Sequence, residues 1–308
     1  MSKVNIFPEG NWYKANLHCH STESDGQLTP AEIKELYKLN GYNIVAYTDH
    51  NVVNYFKELN DPDFIALCGV EIDLYDKTKG YTRCIHLNAI AKDPEKAKFL
   101  GKFTEFNSKN FNEVIKLYKE NGFIVNYNHP YWSAAEAADI LELEGITAIE
   151  VYNHGTQIYN GKGISASQYD LYIKNGKKAF CIATDDNHNF DRKDSTKYAS
   201  DSLGGFTMFK APSLSYNNII NALENGNFYC SNGPLIYDLY IEDGKICIHC
   251  SPVSLIVQRN ERIEGGSISS NNDSLTYAEF ELRDNQPFTR IELIDKHGKM
   301  AFTNPIYL

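Results

Sequence analysis

The chain has 308 residues, which is enough for one large domain, alone or with a small second domain. Its formal net charge of −10 argues against nucleic-acid binding, a function that relies on basic patches. The sequence contains no run of about 18 apolar residues and no signal-peptide core, so we expect neither a membrane span nor secretion.

Up to about residue 225, strand-like segments alternate with helix-like segments. The strand-like segments are 12–18, 43–50, 64–73, 84–90, 123–129, 148–153 and 179–184. Helices are predicted from the capping box of Thr29 and Glu32 to near Gly41, over 110–121, after Ser133 with Glu136, after Ser165 with Gln168, and over 215–225. Repeated strand–helix units with apolar strands are typical of a parallel sheet covered by helices. Several of these strands are followed by polar ligand-type residues, which indicates an α/β barrel with its site at the carboxyl ends of the strands.

After residue 232 the pattern changes to short strands and turns. Strands are predicted at 235–242, 245–250, 255–258, 276–282 and 290–295, with a polar loop at 265–273. Asp243-Gly244 between two alternating segments is a hairpin signal. We therefore predict two domains, 1–232 and a small all-β domain at 233–308. The second is short for a stand-alone sandwich, so we expect it to dock on the barrel.

Ionisable residues of metal-ligand types recur where the predicted strands end. His18 and His20 stand at positions i and i+2, on one side of a strand. The full set is His18, His20, Asp25, Asp49, His50, Glu71, His86, His129, Asp185, Asp186 and His188. Carboxylate oxygen and imidazole nitrogen bind divalent metals, and a carboxylate can bridge two ions about 3.5–4 Å apart. Such a site produces a hydroxide at neutral pH. It also holds the attacking and leaving oxygens when a substituent on phosphorus is displaced.

The order and types of these residues resemble the PHP (polymerase and histidinol phosphatase) family over roughly residues 12–232. The resemblance rests on segments 17–20 (LHCH), 24–26 (SDG), 47–50 (YTDH), 69–71 (GVE), 128–130 (NHP) and 183–188 (ATDDNH). It implies a distorted (β/α)7 barrel of the PHP type and a trinuclear site for zinc, manganese or iron. By resemblance, the first metal is held by His18, His20, Glu71 and Asp186, the second by the bridging Glu71 with His86 and His129, and the third by Asp25, His50 and His188. Asp186 is chosen over Asp185 because the family pattern is Asp-x-His.

Two C-terminal features extend the resemblance. Helix 215–225 followed by 226–234 (GNFYCSNGP), and the ending 297–305 (HGKMAFTNP), resemble the branch of the family with a C-terminal β module. That branch is known mainly as predicted metal-dependent phosphoesterases, and carbaryl-hydrolase-like relatives hydrolyse carbamate or ester bonds. The resemblance thus implies a PHP-type metal-dependent hydrolase domain at 1–232 and leaves the substrate open.

Three further side chains are candidates for substrate binding. Arg83 and Arg192 are candidate phosphate clamps, because a guanidinium matches phosphate oxygens with two parallel hydrogen bonds; a surface position is the alternative for each. His154 follows the sixth strand and either meets the substrate or lies in an exposed loop.

Other polar and sulfur-containing residues have a structural interpretation. Asp49 points to the other side of its strand from His50, so we expect it to support a ligand or cap the backbone, and Asp185 shares this ambiguity. Cys19 should point away from its histidine neighbours into the core. The seven cysteines are scattered along the chain, and most lie within apolar strand-like segments. We therefore expect reduced thiols and a cytoplasmic protein.

The sequence therefore predicts a metal-dependent phosphoesterase that cleaves a small phosphate ester by attack of a metal-bridging hydroxide. Two to three divalent ions (Zn, Mn or Fe) are the expected cofactors, and Asp186, His188 or a metal-bound water would move the proton. The alternatives are a hydrolase of carboxylic or carbamic esters and a metal-stabilised binding module without turnover. The expected partner is a small phosphorylated molecule, with no nucleic acid and no membrane, and the oligomeric state stays open.

Overall fold

The computed structural model describes residues 3–262 and 265–308. In these ranges the α-helices are α1 (Pro30–Leu39), α2 (Ser108–Glu120), α3 (Ala137–Leu141), α4 (His154–Asn160), α5 (Ala166–Lys174) and α6 (Tyr216–Asn225). The strands are β1 (Val4–Asn5), β2 (Asn11–Asn16), β3 (Ile44–Tyr47), β4 (Ile65–Asp76), β5 (Arg83–Ala91), β6 (Phe123–Tyr127), β7 (Ala148–Asn153), β8 (Phe180–Thr184), β9 (Phe206–Ala211), β10 (Phe228–Ser231), β11 (Ile236–Glu242), β12 (Lys245–Val253), β13 (Leu255–Arg259), β14 (Ser267–Ser269), β15 (Leu275–Glu281), β16 (Phe288–Ile294), β17 (Met300–Thr303) and β18 (Ile306–Tyr307).

The predicted barrel strands are present as β2 to β8, and they lie side by side in chain order. At their carboxyl ends a parallel bridge joins Cys19, after β2, to Asn187, after β8. There the His20 amide donates to the Asn187 carbonyl at 3.0 Å, and the Asp186 amide donates to the His18 carbonyl at 3.0 Å. The predicted α/β class is therefore confirmed, and β2 to β8 form a distorted barrel whose first and last strands meet at the ends that carry the ligand-type residues.

The expectation of a wholly parallel barrel sheet is wrong for β5, which runs antiparallel to β4 and β6. Only residues 77–82 connect β4 to β5. A parallel crossover needs about a dozen residues or more, so this connection permits only a hairpin. The reversal brings the first half of β5 to the carboxyl ends of its neighbours, where His86 pairs with Asp73 of β4.

The predicted helices are confirmed as α1, α2, α5 and α6, although the Ser165 side chain makes no capping hydrogen bond at the start of α5. Thr29 caps α1 with a complete capping box, in which its amide donates to Glu32 Oε2 at 2.8 Å. The prediction that Ser133 starts a helix is wrong: α3 begins at Ala137, with Glu136 at the N-cap and Asp139 completing the box. The helix α4 was not predicted, because it starts directly at the end of β7 without a separating turn.

The C-terminal segment is all-β, as predicted, and continues the barrel sheet rather than resting on it. Strands β9 and β10 follow β2 in antiparallel order, and β17, β16, β13 and β14 extend the same sheet. A second sheet, in the order β1-β11-β12-β15, packs against it through a shared apolar core that includes Ile248 and Ile291. The domain boundary at residue 232 stays a prediction.

Two local predictions in this segment have opposite outcomes. The Asp243-Gly244 hairpin is confirmed, since both residues have positive φ, 48° and 76°, as a two-residue type I′ turn requires. The interpretation of 265–273 as a loop is wrong for Ser267–Ser269, which forms β14 on the edge of the long sheet.

Within residues 3–262 and 265–308, neither a disulfide nor a membrane-spanning helix is found. All seven cysteines are free and buried, which agrees with the expectation of reduced thiols. Among the described residues, no helix combines the length and the apolar character needed to cross a membrane.

Candidate metal centre

The two histidines after β2 face the interior of the barrel mouth. His18 and His20 have no solvent exposure, and the residues between and before them, Cys19 and Leu17, pack into separate apolar clusters. Alternation along an extended chain therefore puts both imidazoles on one side and both apolar side chains on the other. The prediction that Cys19 is a core residue is confirmed.

The first predicted group, His18, His20, Glu71 and Asp186, lies together with its ligand atoms all within 4.8 Å of one another. The Nε2 atoms of His18 and His20 are 3.1 Å apart, and each is 3.1 Å from Asp186 Oδ1. In a tetrahedral site with ligands at about 2.0–2.2 Å, neighbouring ligand atoms are about 3.3–3.6 Å apart. The spacing of this group is therefore close to that of a tetrahedral shell.

Glu71 lies at the centre of the histidines, and its two oxygens face different ones. Oε1 is 3.2 Å from His18 Nε2, 3.0 Å from His86 Nδ1 and 3.5 Å from His129 Nε2. Oε2 is 3.2 Å from His20 Nε2 and 3.3 Å from His50 Nδ1. The carboxylate is 1% exposed and lies among imidazoles rather than lysines or arginines in the described chain, so its charge needs a cation in this cluster.

The second predicted group, Glu71, His86 and His129, is also brought together. All three side chains are buried. His86 Nε2 is buried without a hydrogen-bond partner among the described residues, whereas His129 Nδ1 lies 3.1 Å from Ser133 Oγ. The contact with Ser133 leaves His129 Nε2 facing Glu71, which is the arrangement that a metal-ligating histidine needs.

The third predicted group, Asp25, His50 and His188, lies at the outer side of the cluster and includes His20. His188 Nε2 is 3.4 Å from Asp25 Oδ1, and His20 Nδ1 is 3.7 Å from the same oxygen. The Asp25 side chain is 53% exposed, so this group opens to solvent while the other two are enclosed. The structure therefore brings all nine predicted ligands into one continuous cluster.

In the metal-free cluster, the pKa values of several ionisable side chains are shifted from their usual values. Burial lowers the pKa of His20, but hydrogen bonds and charges from Asp186 and Glu71 outweigh burial and raise it to about 9. The same balance of burial against Asp186, Glu71 and Glu150 raises the pKa of His18. In return, the surrounding histidines outweigh burial and hold the pKa of Glu71 well below its usual range. A buried set of carboxylates that holds protons on imidazoles is a site where a metal cation can replace those protons.

Glu150, on β7, was missed by the sequence analysis. It is fully buried, and its Oε1 lies 2.7 Å from His18 Nδ1 and accepts from Thr184 Oγ1 at 2.8 Å. Its Oε2 accepts from the His129 amide at 2.9 Å and from Asn153 Nδ2 at 2.9 Å. A carboxylate on the far nitrogen of a histidine fixes the ring orientation and increases its strength as a ligand. A glutamate inside an apolar strand was the only signal in the sequence.

Two of the predicted ligands have a left-handed backbone. His129 has φ of 29° and Asp186 has φ of 53°. Residues with a Cβ rarely adopt this region, and such conformations persist where surrounding contacts hold them, commonly at functional sites. Here the His129 amide is held by Glu150, and the Asp186 amide by the His18 carbonyl.

Asp49 and Asp185 support the loops rather than joining the ligand groups. Asp49 accepts from the amide and hydroxyl of Ser21 at 2.7 and 2.9 Å, and from Ser24 Oγ at 2.7 Å. Asp185 accepts from the amides of Leu203, Gly204 and Gly205 at 2.7–2.8 Å. Burial raises the pKa of Asp185 to about 6 against these hydrogen bonds. Of the two adjacent aspartates, the structure places Asp186 in the cluster.

The three predicted substrate contacts do not line the pocket above the cluster. Arg83 is buried and forms ion pairs with Asp76 and Asp139, each at 2.9 Å, so these carboxylates already neutralise its charge. Arg192 is 53% exposed and 3.8 Å from Asp191. His154 Nδ1 contacts the Tyr152 hydroxyl at 3.0 Å, and its ring packs closely against Gly204.

A pocket of about 250 Å³ opens onto the three ligand groups. Its floor is formed by the carboxylates and imidazoles, and its walls by aromatic and small side chains: Tyr75, Trp132, Tyr159, Phe190, Gly155 and Thr156. In the part of the chain that the structure describes, neither lysine nor arginine lines it. A substrate in this pocket therefore meets the cluster at one end and uncharged rings at the sides.

Comparisons with known proteins identify one matching family and several similar solved structures. The sequence model of the PHP domain family matches residues 16–180, more than half of the chain. A two-domain protein from Bacteroides vulgatus that contains a predicted PHP-like metal-dependent phosphoesterase is 14% identical, with a TM-score of 0.49 and 98% of each chain covered. An amidohydrolase from Chromobacterium violaceum is 14% identical, with a TM-score of 0.39, covering 54% of this chain and 84% of that one. No curated protein sequence matches the chain.

Proposed function

The chain belongs to the PHP domain family, and that membership together with the clusters of histidine, glutamate and aspartate supports a metal-dependent hydrolase; we propose that its substrate is a small phosphate ester. The reaction adds water across the P–O ester bond and gives an alcohol and inorganic phosphate. The expected partner is thus a small phosphorylated molecule.

The position of Glu71 is the observation that carries the proposal. Its two oxygens face two different sets of histidines, at 3.0–3.5 Å on one side and 3.2–3.3 Å on the other. A carboxylate shared in this way is the usual bridge between two ions in enzymes that cleave phosphate esters. Five imidazoles around one carboxylate are more than a single four-coordinate ion can take as ligands, so the arrangement favours more than one ion.

The residues present fit two to three divalent ions such as Zn, Mn or Fe. We assign His18, His20, Glu71 and Asp186 to the first ion, Glu71, His86 and His129 to the second, and Asp25, His50 and His188 to the third. The buried His86 Nε2 has no hydrogen-bond partner among the described residues, which agrees with a role for this imidazole as a metal ligand. When bound, such ions supply Lewis acidity: they lower the pKa of bound water and neutralise charge on phosphate oxygens.

The protein's own side chains have distinct tasks in this scheme. Glu150 orients His18, Ser133 orients His129, and the aromatic walls exclude bulk water from the pocket. Asp186 and His188 are the candidate catalytic groups for the proton, because both line the pocket and His188 Nδ1 is held by the Asp186 carbonyl at 3.1 Å.

A second candidate function is favoured by one observation. Because neither lysine nor arginine of the described chain lines the pocket, an uncharged carboxylic or carbamic ester also fits it. In that case the ions polarise a carbonyl rather than a phosphoryl group.

The test is the protein loaded with Mn²⁺, Zn²⁺ or Fe²⁺, assayed on phosphomonoesters, phosphodiesters and aryl carboxylic esters. We expect turnover of phosphates that is lost with chelator and reduced about 100-fold or more in Glu71→Gln. Glu144→Gln, an exposed glutamate far from the cluster, is the matched control and should keep full activity. Turnover of carboxylic esters alone would replace the proposal with the second candidate, and full metal occupancy without any turnover would indicate a binding module.

A further inference from the structure

We propose that the substrate carries its single anionic group at the phosphorus that is attacked, and presents an uncharged planar ring to the aromatic walls of the pocket. This inference rests on the proposed function and names the class of phosphate ester. It is carried by the composition of the walls and by the absence of lysine and arginine from the pocket lining in the described chain.

The walls include four aromatic side chains, three of which pack directly on predicted ligand histidines. Trp132 packs edge-to-face on His129, with ring centroids 4.9 Å apart, and Tyr75 packs edge-to-face on His86 at 5.2 Å. In the third predicted group, Phe190 stacks on His188 with ring centroids 5.3 Å apart and an interplanar angle of 26°. The Tyr159 ring lies next to Phe190, with centroids 6.4 Å apart. A planar ring that enters between these side chains meets aromatic faces and edges, which aromatic ligands prefer.

The orientation of Trp132 is fixed, so the wall is present before a ligand arrives. Its indole Nε1 lies 2.9 Å from the side-chain amide of Asn160, oriented with the oxygen towards the indole. The same amide then donates to the Thr156 carbonyl at 2.6 Å. Both Asn160 and Thr156 line the pocket, on α4. A preformed aromatic surface loses little side-chain entropy on binding.

Among the described residues that line the pocket, neither lysine nor arginine is present to pair with a second anionic group on the substrate. Arg83 is engaged by Asp76 and Asp139, and Arg192 lies outside the lining. The polar walls offer a hydroxyl, an amide and the phenols of two tyrosines instead. Moving an unpaired anion out of water into such a wall is costly, so the pocket discriminates against it. The volume of about 250 Å³ lies below the usual range for drug-sized ligands, which limits the ring to a small one.

The experiment compares benzyl phosphate, propyl phosphate and 4-carboxybenzyl phosphate, whose leaving alcohols are chemically alike, on the metal-loaded full chain. We expect kcat/KM for benzyl phosphate to exceed that for each of the other two about tenfold. In Trp132→Ala the benzyl-to-propyl ratio should fall to near one, and Trp132→Phe should restore much of it. Both substrates are measured on the same preparation of each variant. A loss of bound metal therefore lowers both values of kcat/KM and leaves the benzyl-to-propyl ratio unchanged.

Tyr131→Ala is the matched control, because Tyr131 is the neighbouring aromatic residue, is 45% exposed, and does not line the pocket. It should keep the wild-type ratio. Phosphate turnover with no preference for the ring, or with a preference for the carboxylated ring, would overturn this inference and leave the proposed function standing. Absence of turnover on all three phosphates by fully metal-loaded protein would overturn the proposed function and, with it, this inference.

Discussion

Glu150 shows how one buried side chain can organise several ligands. It is fully buried on β7, and its two oxygens contact His18, the His129 amide, Asn153 and Thr184 at 2.7–2.9 Å. Asn153 also donates to Asp186 Oδ2 at 3.1 Å. Three of the proposed ligands are therefore positioned through a carboxylate that does not face the pocket.

Replacing Glu150 by glutamine keeps its size but removes the negative charge. The new side-chain NH2 group then faces either His18 Nδ1 or the His129 amide, and both of these are hydrogen-bond donors to Glu150. We expect Glu150→Gln to weaken metal binding about 10–100-fold. The check is metal content after equilibration with a chelator of known affinity, compared with Glu142→Gln, an exposed glutamate between β6 and β7. Unchanged affinity would show that the contact with His18 is not needed for metal binding.

The shifted histidines give metal binding a defined pH dependence. The pKa of His20 is raised to about 9 in the metal-free protein, so at neutral pH this ligand carries a proton that the metal must displace. As pH rises towards 9 the competing proton is lost, and affinity should increase about tenfold per pH unit for each proton displaced. Calorimetric titration with Mn²⁺ between pH 6.5 and 9, in buffers of different ionisation enthalpy, measures the number of protons released on metal binding. His20→Gln should release about one proton fewer, and a pH-independent affinity would contradict the prediction.

At the scale of elements, the site depends on how tightly the connections after the strands are folded. The loop after His20 returns to it so closely that a Cβ on Gly26 would stand 2.3 Å from the His20 carbonyl oxygen. Ser21 and Ser24 in this loop are held by Asp49. The loop thereby carries Asp25 back over His20 and His188.

Gly26→Ala should therefore displace the loop and with it Asp25. We expect a loss of about 1–3 kcal/mol in unfolding free energy and selective loss of the ion proposed at Asp25, His50 and His188. Gly41→Ala is the control: its φ of 76° imposes backbone strain of about 1–2 kcal/mol, but no heavy atom lies within 4 Å of the added Cβ. Metal stoichiometry in both variants distinguishes a local effect from general destabilisation. Equal stoichiometry in both would contradict the predicted role of the loop.

The barrel strands and the gathering of ionisable residues at their ends were predictable from local pattern, whereas the division of those residues into ligand groups came from the family resemblance and stays a prediction. Apolar runs that end in ligand-type residues mark both the strand and its carboxyl end, as at His18 and His20. The direction of β5 was not apparent, because it depends on the six-residue connection 77–82 rather than on the strand itself. Glu150 was missed because its neighbours are apolar and its partners lie far away in sequence. Arg83 looked available in the sequence, since its partners Asp76 and Asp139 come together only in the fold.

At the scale of the whole molecule, the long sheet crosses from the barrel into the C-terminal segment. β17 pairs with β10, and Asn304 beyond β17 accepts from the Cys181 amide of β8 at 2.9 Å. Arg290 on β16 adds a buried connection: its Nη2 donates to Asp170 Oδ1 of α5 at 2.6 Å, and its Nη1 lies 2.7 Å from Glu292 Oε1. The guanidinium also lies 5.5 Å from the centroid of the Tyr169 ring. These contacts imply that the two parts unfold together.

Arg290→Met tests this connection, because methionine fills part of the space but leaves Asp170 and the nearly buried Glu292 without their shared cation. Removing one partner of a buried ion pair costs about 3–5 kcal/mol, and we expect about 3 kcal/mol here since Asp170 is 25% exposed and Glu292 keeps Arg259 at 2.7 Å. Denaturant unfolding followed by circular dichroism should show one transition at a lower midpoint, whereas Arg262→Met, at a 65% exposed arginine, should leave the midpoint unchanged. If Arg290→Met instead splits unfolding into two transitions, the ion pair is what couples the segments. If its midpoint equals that of Arg262→Met, the shared sheet alone holds them together.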